Sequence, residues 1–252
     1  MKEKVATVSI IVLLTITIIA NTGCFESQSP PPVLGDFAED YLSGSKYTRL
    51  IIEVDYVEGH APSSKAMETL KARINSYCDK ENVLILEKRI TTSKSSYSLE
   101  DIKDLEKEHR DYHKSGSDII AYVLYLNGQY SENEDVLGIA YGASSMAIFN
   151  EKIHDLSIPF WATTLVDHGD YEKSVLVHEF GHLLAMVNIG YESDRNHEGS
   201  YRHHCVHDEC VMYHSIETVS ILTLLTQDNP QPPSDFYTDC QYDLGKLKSG
   251  DY

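Results

Sequence analysis

The chain has 252 residues, with 21 Lys and Arg against 39 Asp and Glu, a formal net charge of −18 before its 12 histidines are counted. That acidic excess argues against a protein built to grip phosphate backbones, which needs a basic face. Hydrophobic residues make up 42% and charged residues 24%, which is too apolar for a disordered acidic tail and sufficient for one large domain or two small ones.

The amino terminus reads as a leader. Lys2 and Lys4 precede an uncharged, mostly apolar run of 16 residues, Val5 to Ala20, short of the roughly 20 that cross a bilayer as a helix. Thr22-Gly23-Cys24 resembles the end of a lipoprotein signal, although Asn21 stands where an aliphatic residue is usual. Three outcomes are open: a lipid on Cys24, an uncleaved transmembrane anchor, or simple cleavage and secretion. Each leaves the lysines inside and the rest of the chain extracytoplasmic. Residues 25–46, rich in Ser, Pro and acid, are expected to form a flexible tether, which leaves 47–252 as the folded domain.

Within that domain Leu50, Ile52, Val54 and Tyr56 alternate with Ile51, Glu53 and Asp55, the pattern of a strand with a mostly apolar inner face. Met67, Leu70, Ile74 and Cys78 recur at helical spacing after Pro62-Ser63-Ser64. Val83 to Ile90 is a second strand. Ser98-Leu99-Glu100-Asp101 has the form of a capping box and predicts a charged helix through His113, with Ile102 and Leu105 inward. Ile119 to Leu126 is an almost wholly apolar strand ending at Asn127-Gly128, and Leu137 to Phe149 reads as one further strand. The alternation βαβαββ predicts an α/β fold with a largely buried sheet.

The chemistry concentrates in Val175-Leu-Val-His-Glu-Phe-Gly-His-Leu-Leu184. On a helix His178 and His182 stack on one face, so their imidazoles can converge on one metal ion while Glu179 sits beside it. Val175, Leu176, Phe180, Leu183, Leu184 and Val187 cover the remaining faces and predict a buried helix. Two unpaired imidazoles and a carboxylate would be costly there, and Zn²⁺ removes that cost by taking the lone pairs.

Downstream, His204-Cys205 begins a segment of the form HCxxxxCxM that ends at Cys210 and Met212, and Cys240 follows. With His178-Glu179-Phe180-Gly181-His182 this order resembles the archaemetzincins, a branch of the metzincin zinc peptidases with the pattern HExxHxxGxxHCxxxxCxM and a later CxxC. The resemblance implies a metzincin-like zincin domain: a mixed twisted sheet, an active-site helix, and a smaller irregular and helical carboxyl-terminal part. It also makes Met212 the turn beneath the metal. The segment Gly138 to Ser145, with Gly138, Ala140, Tyr141 and Gly142, looks like the edge strand that binds extended substrate. Four departures stand out. Ala185 replaces the family glycine, and Asn188 replaces the third histidine. The insertion Ile189 to His203 then separates the helix, expected to end at Gly190, from the HC pair. His204 returning to the metal is the favoured third ligand and His197 the alternative. Finally, Tyr237 replaces the third of four cysteines that hold a structural zinc in the family. Either Cys205, Cys210 and Cys240 bind a second zinc completed by Asp239, His207 or another group, or these three and Cys78 form two disulfides.

The implied activity is zinc-dependent peptide hydrolysis. His178, His182 and His204 hold one catalytic Zn²⁺ with a fourth position for water, and Glu179 acts as general base. The expected partners are a peptide or protein substrate and, through the leader, a membrane. No nucleic acid is expected, and the chain is expected to be a monomer. Two alternatives remain: a carboxylate third ligand, Glu198 or Glu217, as in the gluzincins, and a membrane-anchored zinc-binding or interaction module without hydrolysis. Tyr213 has packing as its default role. His60, His109, His113, His154, His168 and His214 read as ordinary surface or core histidines.

Overall fold

The centre of the fold is a strand that offers apolar residues to both of its faces. The structure is a computed structural model that describes residues 30–156, 158, 161, 165–226 and 231–252. The apolar run of the leader, Cys24 and the anchor they imply lie outside these residues. Among the described residues no helix is long and apolar enough to cross a membrane.

β1 (Arg49–Val57) lies between β2 (Asn82–Ile90) and β4 (Asp118–Leu126), parallel to both. β4 pairs in parallel with β7 (Ser145–Phe149), and β6 (Gly138–Gly142) closes the edge antiparallel to β7, giving the order β2-β1-β4-β7-β6. Because side chains alternate, Leu50, Ile52, Val54, Ile119, Ala121, Val123 and Tyr125 enter one core while Tyr122, Leu124 and Leu126 enter a second on the other face. A parallel sheet covered on both faces also explains the buried charges. Glu53 accepts hydrogen bonds from the amides of Asp111 and Tyr112, and Asp55 from the Tyr122 hydroxyl. The polar alternates of β1 are thus interior groups rather than a solvated face.

α2 (Ser64–Tyr77) starts at Ser63, whose hydroxyl accepts from the Ala66 amide, and buries Met67, Leu70 and Ile74. α3 (Leu99–His109) has the expected capping box between Ser98 and Asp101 but stops at His109, since Arg110 turns to an extended conformation. β3 (Ser96–Tyr97) and β5 (Gln129–Tyr130) form a small separate sheet. The segment expected as one strand from Leu137 to Phe149 is a hairpin. Its central turn residues, Ala143 and Ser144, are neither Gly nor Pro, and Gly142 just before them is the turn signal in this segment.

The carboxyl-terminal part is irregular, as expected: α4 (Asn150–His154), then α5 (His168–Leu183), two short 3₁₀ turns at His214–Glu217 and Val219–Leu224, and α6 (Thr238–Ser249). The tether is shorter than expected. α1 (Ala38–Leu42) buries Tyr41 and Leu42 completely, and the Tyr41 hydroxyl donates to the Ile120 carbonyl inside the sheet. Lys80, which donates to the carbonyls of Asp40 and Tyr47, and Lys114, paired with Asp40, hold the same segment, and the folded unit runs from Pro32 to Tyr252.

Candidate metal centre

α5 carries the first part of the site. It begins at Asp167, which forms a capping box with Asp170, and every residue from Asp170 to Leu183 is buried. Gly181 is the point of closest approach: a Cβ there would lie 2.3 Å from Met212 Sδ and 3.1 Å from Phe236 Cε1. The glycine of the HEFGH segment therefore lets Met212, itself fully buried, pack directly beneath the helix.

The helix ends at Leu183, not at Gly190. Ala185, Val187 and Asn188 all adopt left-handed backbone, with φ of 63°, 59° and 65°. Ala185 accepts a conformation that glycine takes at no cost, and Val187 does so despite its branched Cβ. The chain thus turns away before Asn188 can face the metal side. The Asn188 amide instead donates to Glu198 and accepts from the Ser193 amide, which removes both Asn188 and Glu198 from the site.

The loop brings His204 back. His178 Nε2 and His182 Nε2 face each other at 3.1 Å, and the His204 ring centroid lies 5.2 Å from each of the other two. His178 Nδ1 lies 2.6 Å from the Val211 carbonyl and His204 Nδ1 2.8 Å from the Arg202 carbonyl. These contacts assign the protons to Nδ1 and leave Nε2 as the lone-pair nitrogen, the arrangement that outer hydrogen bonds impose on metal-binding imidazoles. Glu217, from the first 3₁₀ turn, completes the group, with Oε1 3.2 Å from His204 Nε2 and Oε2 3.7 Å from His178 Nε2. One ligand atom from each of His178, His182, His204 and Glu217 lies within 4.8 Å of all the others.

Several of these groups are unsatisfied on their own. Neither carboxylate oxygen of Glu179 nor Nε2 of His204 has a hydrogen-bond partner among the described residues. Burial, with the Glu217 charge added, pushes the Glu179 carboxyl well above the usual carboxylate range. Burial and the neighbouring imidazoles hold His182 well below its usual value. Burial disfavours the Glu217 carboxylate, but its contacts with His178 and His204 outweigh that and lower its pKa. Converging lone pairs and orphaned buried oxygens are the chemistry a divalent cation resolves, and this donor set fits zinc.

β6 runs past the site. A Cβ on Gly138 would lie 2.7 Å from Glu179 Oε1 and 2.7 Å from Val175 Cγ1, so only glycine lets the edge strand pass this close to Glu179. Ala140 lines the same cavity, of about 170 Å³, with Glu179, His182, His204, Arg202 and Glu217. Tyr141 packs on the opposite face, against the second core, and a bulge between Ala140 and Gly142 turns the strand there. Tyr213 lines a neighbouring cavity of about 240 Å³ with Tyr201, His204 and His214.

A second cluster holds the sulfur. Cys205, Cys210 and Cys240 are buried and, like Cys78, are free thiols. Cys210 Sγ and Cys240 Sγ are 3.6 Å apart, far beyond the roughly 2.05 Å of a disulfide. The expected disulfide alternative is corrected accordingly. His197 is also corrected: it does not approach His178 and His182 but lies with Nδ1 3.6 Å from Cys240 Sγ, and it groups with Cys205 and Cys240. Its Nε2 lies 2.8 Å from Asp243 Oδ2, and Asp243 accepts further bonds from Ser193, Tyr191 and Tyr252. Burial opposes a charged His197, yet Asp243 and Cys205 carry its pKa up to about 9. The Cys210 and Cys240 thiols donate to Cys205 and hold it low, whereas Cys210 is pushed up to about 12. His207 and Asp239, the expected completing ligands, instead pair with each other at 3.2 Å, and the His207 ring stacks on Tyr237. Tyr237 gives the cluster only its backbone amide, which donates to Cys210 Sγ.

No family model matches the sequence, and no curated protein matches it. Solved structures do match. Metalloproteinase-II from Bacteroides fragilis gives a TM-score of 0.43 at 13% identity, over 82% of this chain and 55% of that one. Archaemetzincin from Methanopyrus kandleri gives a TM-score of 0.51 at 15% identity, covering 80% of this chain and 97% of that one. The chain therefore has the mixed α/β fold of that archaemetzincin.

Proposed function

We propose that the protein is a zinc-dependent peptidase, held outside the cytoplasm by its amino-terminal leader and acting as a monomer on extended peptides. The observation that carries this reading is the convergence of His178, His182 and His204 beside a buried Glu179 with no other partner among the described residues. His178, His182 and His204 are the residues to hold the metal. Bound there, zinc supplies a Lewis acid that polarises a peptide carbonyl and acidifies the attacking water.

The chain's own groups do the rest. Glu179 takes a proton from the water on a carboxylate oxygen and returns it to the leaving amine nitrogen, so the water's hydroxyl ends on the carbonyl carbon and its proton on the amine. Its burial suits a group that must hold a proton during the step. The free edge of β6, beside Gly138 and Ala140, is suited to pair with substrate as an added strand. Cys205, Cys210, Cys240 and His197 supply three sulfurs and a nitrogen for a second, structural zinc, with Asp243 orienting the imidazole.

The test is Glu179→Gln. The variant is expected to keep its zinc and lose hydrolysis of a casein-like substrate, whereas His204→Ala loses the catalytic zinc. Hydrolysis that persists in Glu179→Gln refutes the mechanism. A wild-type chain that binds zinc and cleaves nothing supports the interaction-module alternative.

A further inference from the structure

A catalytic zinc site ordinarily has three protein ligands and one open position. Here four protein donors surround the cavity. A tetrahedral centre with arms of about 2.0–2.1 Å has edges of about 3.4 Å between ligand atoms. The separations are 3.1 Å from His178 Nε2 to His182 Nε2, 3.2 Å from His204 Nε2 to Glu217 Oε1 and 3.7 Å from His178 Nε2 to Glu217 Oε2. One ligand atom from each of His178, His182, His204 and Glu217 lies within 4.8 Å of the other three, so the four donors converge on one region.

The backbone around Glu217 is fixed. Its carbonyl accepts from the Leu137 amide at 2.7 Å, and the Val219 amide donates to the Asp135 carbonyl at 2.9 Å. Its side chain is 27% exposed, so the carboxylate borders water. Leu137 directly precedes β6, the strand proposed to pair with substrate.

Building on the zinc-peptidase reading, we infer that Glu217 is a fourth protein ligand that closes the resting metal site, and that substrate or water must displace it before hydrolysis. Ala185, Asn188 and the insertion do not abolish the site. They shift its control to a carboxylate outside the HExxH segment. Glu217 then raises metal affinity and limits access to the metal at the same time.

These two effects give the test opposite signs. In the zinc-loaded chain, Glu217→Gln is expected to lower zinc affinity in chelator competition by at least about tenfold, since even the outer partners of metal ligands are worth that much. The same variant is expected to bind acetohydroxamate more tightly than wild type, because the position that the inhibitor's oxygens need is vacated. Glu217→Asp, which keeps the charge on a shorter stem, serves if the glutamine variant is poorly folded and is expected to move both values in the same directions. Absence of either change overturns the inference. If His178→Ala leaves the zinc content unchanged, the metallopeptidase reading itself fails; if only the Glu217 variants are silent, that reading stands and the fourth ligand does not.

Discussion

Replacing Gly181 by Ala opposes two effects whose balance sets the sign of the result. In an open helix interior, alanine is more favourable than glycine by about 1 kcal/mol, because it loses less backbone entropy. Here the new methyl would sit 2.3 Å from Met212 Sδ, 3.3 Å from Met212 Cε and 3.1 Å from Phe236 Cε1. Met212 is fully buried and its carbonyl accepts from the Cys205 amide at 2.8 Å, so it has no empty space to enter. Overpacking of this kind costs about 1–3 kcal/mol. The net expectation is a loss of about 1 kcal/mol, or about 2–4 °C in Tm for a domain of this size. Calorimetry of the chelator-treated protein measures it without a contribution from zinc. Adding Met212→Ala to Gly181→Ala should cost less than Met212→Ala costs alone, since the added methyl fills part of the cavity. A Tm that rises in Gly181→Ala refutes the argument, because helix propensity would then be acting alone and Met212 would not support the helix.

Two further outcomes follow from the buried carboxylates. Asp243→Asn should weaken zinc at the cysteine cluster by about 10–100-fold, because it removes the partner that orients His197; thiol titration after mild chelation should expose Cys205, Cys210 and Cys240 sooner than in wild type, and equal exposure counts against a zinc site there. Asp170 sits between Lys173 and Lys65 at the amino-terminal end of α5. Burial opposes its charge, but the lysines and the Asp167 amide outweigh it and lower its pKa. A lowered folded-state value contributes stability above the unfolded value near 3.9, which is lost as pH falls through the folded one. Asp170→Asn should therefore cost about 2 kcal/mol at pH 7 and progressively less below about pH 4; urea midpoints that keep the same gap at pH 3 contradict this.

The parts of the fold that could be read in advance are those set by local periodicity. The alternation in β1, the apolar run of β4 and the Ser98 capping box each express one element's own geometry. The reading failed where a residue's partner is distant. Tyr41 and Leu42 look like tether until the sheet provides their cavity, and the hairpin before α4 looks like one strand because its central turn residues, Ala143 and Ser144, are neither glycine nor proline. Glu217 had only a minor place, as one of two carboxylate alternatives, and spacing offered no way to rank it above Glu198.

The sequence by itself determined that His178, Glu179 and His182 share one helical neighbourhood, because a separation of four residues places side chains on the same face wherever the helix is packed. It could not assign the histidines beyond the insertion, since a loop of such length can return either His197 or His204 to the helix. Only the tertiary structure decided that. Left-handed backbone at Ala185, Val187 and Asn188 directs Asn188 away from the metal side, and Asp243 draws His197 into the sulfur cluster, which leaves His204 with Glu217 to face the helix. Long-range pairing of buried polar groups made the choice, because each must find a partner somewhere in the interior and no local rule says where.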